Sequence, residues 1–306
     1  VANNYNSTST LTNLVQTAYD RLVEWQLRSV PQFRAVVDKR PAMQAMPGSV
    51  VVFTIQNDLT ALATTPLTET VDPDAVARPA PTQISVTLQE YGNAELDTLR
   101  LRRLAFTDIE QEQAITIGRN MADTMDRLVR TVLDGGTQVL NQADGTIKTG
   151  AATTYNPATI QLFQNTVSKL RGAAVDPRVG DSYVAYVHPD VSFDIRTQSI
   201  GNNVGWITPH AYVDTSAIYA GEVGMFGGAR FIESPRCNLV SGVYTSYVIG
   251  RQAVAEAVAE EPHVIIGPVV DKLRRFYPLG WYSLIGWSLY RTQSLWLAKS
   301  ASGIAT

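Results

Sequence analysis

Residues 221–235, GEVGMFGGARFIESP, crowd Gly221, Gly224, Gly227 and Gly228 into one short segment. Glycine crowding is a mark of phosphate-binding loops, so this stretch decides whether the chain is a nucleotide-binding α/β protein or something else. A dinucleotide fingerprint needs G-x-G-x-x-G between a strand and a helix, and a P-loop needs Lys and then Ser or Thr after its last glycine. Neither pattern is present. After Gly228 the chain reads ARFIES and meets Pro235, a strand-like run, so no helix N-terminus is available to face a phosphate. Gly221, Gly224, Gly227 and Gly228 are therefore expected to act as structural turn residues, supplying positive φ and close backbone approach.

The flanks offer no better chemistry. Upstream, VHPDVSFDIRT (187–197) brings His188, Asp190 and Asp194 close in sequence, but Pro189 follows the histidine directly and Asp190 is placed to cap the helix VSFDIR. His210 and His263 stand alone, with no H-x-x-x-H or C-x-x-C to join them, and no G-x-S-x-G elbow occurs. Cys237 is the only cysteine; beside Arg236 it could have a lowered pKa, yet a small buried hydrophobe is the simpler reading, and no intrachain disulfide is possible. No catalytic, cofactor-binding or metal-ligating residue is assigned.

Length and composition narrow the class. The 306 residues are 45% hydrophobic, enough for about two domain-sized cores. A net charge of −3, without long runs of either sign, does not predict a sequence-reading nucleic-acid binder. The N-terminus VANNYNSTST lacks the order of a signal peptide, and the most apolar stretch, LGWYSLIGWSLYRTQSLWLA, carries Arg291 and Gln293 where a membrane span would be apolar. No membrane partner is expected.

Periodicity then orders the chain. Leu11, Leu14, Val15, Leu22 and Val23 share one face of an amphipathic helix, with Thr10 as its cap. The β-branched GSVVVFTIQ and the alternating Ile84, Val86 and Leu88 predict two strands flanking a long connection with almost nothing to bury, read as a hairpin arm projecting from the body. A capping box from Thr107 to Glu110 opens a long helix whose face runs through Ala114, Gly118, Met121, Ala122, Met125, Val129 and Leu133 to the stop at Gly135 and Gly136. Asp144-Gly145 predicts a turn, Asn156-Pro157 a helix start, SYVAYVHPD a buried strand, and residues 228–300 a mostly β return. This order gives an α+β fold.

In combination, GEVGMFGGARFIESP, VHPDVSFDIRT, YVIGRQAVAEA (247–257) and YPLGWYSLIGWSLYRTQSLWLAKSAS (277–302) resemble the major capsid proteins of tailed bacteriophages. The resemblance implies the Hong Kong 97-type capsid fold: an N-terminal arm at 1–44, an extended loop at 45–92, a spine helix at 107–134, a peripheral domain at 93–154 and 261–306, and an axial domain at 155–260. It also implies an icosahedral shell of hexamers and pentamers enclosing packaged DNA without sequence-specific binding, assembled in the host bacterial cytoplasm with portal and scaffolding proteins and a decoration protein. Leu11, Leu14, Val15, Leu22, Val23 and Arg78, the loop's only basic residue, become candidate subunit-interface residues. An encapsulin-type nanocompartment shares the fold and is the alternative; a cytosolic hydrolase using His188 and Asp190 is the weaker one.

Overall fold

The computed structural model describes residues 29–41, 49–59, 66–67, 69–70, 72, 75–105, 108–150, 152–201, 222–268 and 271–304. A short 3-10 helix, Phe33–Val36, runs into β1 (Asp38–Pro41). β2 (Val50–Ile55) and β3 (Thr82–Thr87) pair antiparallel from Val50↔Thr87 to Ile55↔Thr82, closing the ends of the core-poor connection into a ribbon. β4 (Gln89–Thr98) leads through α1 (Leu99–Leu104) to the long α2 (Ile109–Asp134). β5 (Gln138–Ala143), β6 (Thr146–Lys148), α3 (Ile160–Gly172), β7 (Tyr183–Val187) and α4 (Pro189–Gly201) follow. The β-rich return comprises β8 (Glu222–Phe226), β9 (Ala229–Glu233), β10 (Leu239–Val240), β11 (Val243–Ile249), β12 (Val254–Ile266), β13 (Phe276–Leu289) and β14 (Leu295–Ser300).

Among the described residues, the strands outside the ribbon form two sheets. The smaller runs β1-β12-β13-β4; the larger, eight-stranded, runs β6-β5-β14-β11-β7-β9-β8, with β10 hung on β11. Alternation along the larger sheet's strands splits its side chains between two cores. Tyr183, Ala185 and Val187 of β7, with Trp296 and Ala298 of β14, face Leu162, Phe163 and Val167 of α3. Their neighbours Val184, Tyr186, Leu295 and Leu297 face Phe33, Val129 and Leu133. The smaller sheet is likewise covered twice: Trp281 and Ile285 meet Ile117 and Met125, while Ala255, Ala257 and Tyr290 meet Val86 and Phe53 of the ribbon.

α2 is about 39 Å long at 1.5 Å per residue. Its C-terminal half packs under the larger sheet and its N-terminal half under the smaller, so this one helix joins the two sheets. The Asp108 carboxylate caps it, accepting from the backbone N–H of Glu110 and Gln111, and the helix starts at Ile109; Thr107 lies outside the described residues. Buried Gln113, Ile117, Met125, Val129 and Leu133, with half-buried Met121, form a stripe spaced by four. The expected face held Ala114 and Gly118 instead. Ala114 is exposed, and a Cβ on Gly118 would meet nothing within 4 Å. Burying Ile117 gains more than burying a glycine, and Gln113 Nε2 finds the Glu95 carbonyl at 3.2 Å, so the first turns rotate by one residue.

Three expected boundaries move. The extended loop, taken to 92, gives way to the smaller sheet at Gln89, and the ribbon's inner face packs on that sheet instead of projecting freely. The contact is close: a Cβ at Gly286 would lie 2.2 Å from the Thr87 carbonyl oxygen, so only glycine fits under the ribbon. β12 begins at Val254 in the smaller sheet, inside the span assigned to the axial domain, whereas β5, β6 and β14 pair into the larger sheet from spans assigned to the peripheral one. The chain crosses between sheets at 250–253 and again at 290–294. Those crossings are stitched together by Tyr290 N–H to the Ala253 carbonyl at 2.8 Å and Gly250 N–H to the Ser294 carbonyl at 2.8 Å. Helix α3 starts at Ile160, capped by the Thr159 hydroxyl, and not at Asn156-Pro157, because Pro157 is bridged to Ala301.

Candidate assembly surfaces

The glycine segment resolves into a hairpin. Gly227 and Gly228, at φ 57° and 86°, form the two-residue turn between β8 and β9. Gly224 lies inside β8, beside a register shift, and is a strand residue, not a turn residue; Gly221 lies outside the described residues. A Cβ on Gly228 would stand 2.7 Å from the Arg171 guanidinium, so side-chain packing occupies the space above this turn.

Of the candidate interface residues, Leu11, Leu14, Val15, Leu22 and Val23 lie outside the described residues. Arg78 is exposed, and its guanidinium donates to Gln56 Oε1 at 2.7 Å; next to it, Asn57 Nδ2 donates to the Ala80 carbonyl at 2.7 Å. These bonds tie the two legs of the loop together just beyond the ribbon.

Where the N-terminal segment enters the body, it is held by buried charge, which sequence reasoning missed. Asp126, 1% exposed on α2, accepts the backbone N–H of Gln32 at 2.8 Å and of Phe33 at 2.7 Å, and faces Arg236 at 3.3 Å. Burial pushes this carboxyl up from the ordinary range, while the Phe33 N–H and Arg236 pull it down. Arg236 also binds Asp123 at 2.5 Å and the Ser29 carbonyl at 2.7 Å. Further along, Arg34 binds the fully buried Glu256 at 2.5 Å and Glu261 at 2.8 Å, with Lys39 3.6 Å from Glu261. The partners lie 110 to 227 residues apart in most of these contacts, too far for any local pattern to reveal them.

The residues weighed for hydrolysis do meet: His188 Nδ1 lies 3.2 Å from Asp190 Oδ2 and accepts the Asp190 backbone N–H at 3.3 Å. α4 begins at Pro189, so Asp190 is inside the first turn and caps nothing as a flanking residue; its carboxylate accepts the Tyr244 hydroxyl at 2.6 Å. That bond pushes the Tyr244 hydroxyl up to about 12. His188 lies against the Tyr244 ring at 4.8 Å between centroids. Cys237 is buried, and burial raises its thiol well above the ordinary value instead of lowering it.

Among the described residues, the uncovered apolar surface includes the ribbon and one end of the smaller sheet. The ribbon's outer face shows Val50 and Val52, 44% and 51% exposed. At the far end of the smaller sheet, Leu96, Leu104, Ile266 and Leu273 are 54% to 82% exposed. Large apolar side chains clustered on a surface mark sites that another molecule covers.

Residues 158–292 match the family model described as phage capsid protein. No curated protein matches the chain. Solved capsids align along nearly its whole length: the capsid of Ralstonia phage GP4 at TM-score 0.71 and 13% identity, covering 96% of this chain and 97% of that one. The capsid asymmetric unit of cyanophage Pam1 aligns at 0.70 and 11%, covering 99% and 100%, and Mycobacterium phage Che8 at 0.65 and 16%, covering 94% and 98%. A segment that matches the phage capsid family thus sits in a chain whose long helix, two sheets and extended ribbon have the Hong Kong 97-type fold of whole capsid subunits.

Proposed function

We propose that this chain is the major shell subunit of a tailed phage, forming hexamers and pentamers of a closed icosahedral shell around packaged double-stranded DNA. The carrying observation is the full-length structural alignment with capsid subunits together with the family match at 158–292. The larger sheet with α3 and α4 serves as the axial domain, the smaller sheet with α2 as the peripheral domain, and the β2–β3 ribbon with residues 56–81 as the extended loop. A net charge of −3 suits a wall that confines DNA without gripping it. Portal and scaffolding proteins are the partners that fit this role, with a decoration protein over the loops as a further candidate and assembly in the host bacterial cytoplasm. The match to a phage family favours this reading over an encapsulin shell.

Negative-stain microscopy of the purified chain, alone and with a co-expressed scaffold, should show closed shells or capsomers. Monomers under every salt and crowding condition would overturn it.

A further inference from the structure

The β5–β6 hairpin at one edge of the larger sheet is lopsided. β14 covers Gln138–Asn141 on one side of β5, but β6, with three residues against six, covers only Asn141–Ala143 on the other. The ladder stops where Gly150, at φ 95°, turns the chain away. Backbone N–H and C=O groups alternate between the two sides of a strand. The Gln142 carbonyl points away from β6 and accepts the Asn156 N–H at 2.9 Å, so Asn141 and Val139 turn theirs outward. Asn141 meets Lys148 there; opposite Val139 β6 has already ended, and no strand pairs with that side among the described residues.

A cavity of about 400 Å³ takes the place of the missing strand, with Thr137, Val139, Asn141, Tyr155 and Lys299 in its wall. Asn141 is only 2% exposed. Its Nδ2 donates to the Gly150 carbonyl at 2.5 Å, whereas its buried Oδ1 receives no hydrogen bond. A buried acceptor left without a donor is costly, so this atom is set for a partner from outside. Half-buried Lys299 stands in register with Asn141 across β14, which puts amine and amide on one face of the sheet. On the other flank Lys148 is neutralised by Asp144; Lys299 has no ion pair among the described residues, and no carboxylate lines the cavity.

The cavity therefore calls for three things together: backbone groups spaced as a strand, a donor for Asn141 Oδ1 and a negative charge for Lys299. A small carboxylate supplies only the last, and a phosphodiester chain brings no donor. An extended polypeptide with an acidic side chain supplies all three. We infer that the truncated edge of β5 is a docking groove for an extended acidic segment of another protein, added as a strand beside Val139, with its carboxylate on Lys299 and a donor on Asn141 Oδ1.

The test titrates the full chain with the blocked peptide Ac-STVEVTS-NH2, which should bind and protect amides 137–140 from hydrogen exchange. Ac-STVQVTS-NH2 should bind about tenfold more weakly, the loss of one charge-assisted bond. The glutamate peptide methylated on alternate backbone nitrogens should not bind, because it keeps every side chain and cannot complete the ladder. Lys299→Glu, with an unchanged melting temperature, should transfer the preference to Ac-STVKVTS-NH2. The proposal fails if no peptide binds at millimolar concentration, if the methylated peptide binds like its parent, or if Lys299→Glu leaves the order unchanged. Glutarate competing as well as the peptide would make this a small-carboxylate site, and short-duplex DNA protecting the same amides would assign it to nucleic acid. Protection that arises on assembly of the chain by itself would give the groove to a second copy; each of these three outcomes overturns the proposal. Microscopy tests the shell reading separately, since peptide binding needs only the folded subunit.

Discussion

Arg34 and Glu256 show how much one pair can decide. Glu256 is fully buried, and its charge is tolerated only because Arg34 reaches it at 2.5 Å from a side chain that is 27% exposed. Removing one partner of a buried pair strands the other, whereas replacing both with apolar groups does not. Arg34→Met is expected to cost about 3 kcal/mol, the low end for such pairs because Arg34 is partly solvated. Arg34→Met with Glu256→Leu should recover most of that loss. Urea unfolding of the subunit measures both; equal stability of the single and double variants would show that Glu256 is not stranded and that the pair contributes only local packing.

At the scale of elements, residues 32–39 are held by two carboxylates, Asp126 of α2 and Glu261 of β12, that respond to acid in opposite senses. Burial acts to raise Glu261, but Arg34 and Lys39 outweigh it and hold the carboxyl below the ordinary 4.5. A depressed carboxyl stabilises above its unfolded pKa, and that contribution is lost as pH falls through the folded value. Asp126 is raised mainly by burial, so its contribution is present in acid and is lost as pH rises. Between neutral pH and about pH 3, the protection of amides from exchange, relative to their intrinsic rates, should therefore fall around 34–39 and β1 before it does at Gln32 and Phe33, and Glu261→Gln should abolish the difference. Loosening that begins at Gln32 would reverse this assignment. None of these pairs was legible, since they join residues up to 227 apart. What could be read was periodic or local: the buried run of β7, the alternation of β3, the length of α2, the turn at Asp144-Gly145. The face of α2 was misread at Ala114 and Gly118 because a mixed face of small and apolar residues fits two helical phases, and contact with Trp281 and Ile285 chooses between them. Sheet membership failed for a related reason: β5 and β14 find partners by topology, which strand propensity does not encode.

At the scale of the whole molecule, an assembled shell must hold its copies without a covalent weld through the extended loop. A Lys-Asn isopeptide bond needs a neutral amine on that loop, and from Gly48 to Asn93 the only basic residue is Arg78, whose guanidinium stays protonated and is a poor nucleophile. The chain has five lysines in all. Lys39 and Lys148 are engaged by Glu261 and Asp144, Lys169 lies on α3, Lys272 is exposed just before β13, and Lys299 stands on β14 in register with Asn141. Cohesion then comes from apolar and charged contacts repeated at every subunit, each weak and collectively large. Mature shells boiled in detergent should return a single band near 33.4 kDa, and they should dissociate more readily in high salt than in low. A ladder of oligomers that survives boiling and reducing agent would refute non-covalent cohesion. Substituting Lys272 and then Lys299 by arginine would locate the bond, because arginine keeps the charge and removes the nucleophile.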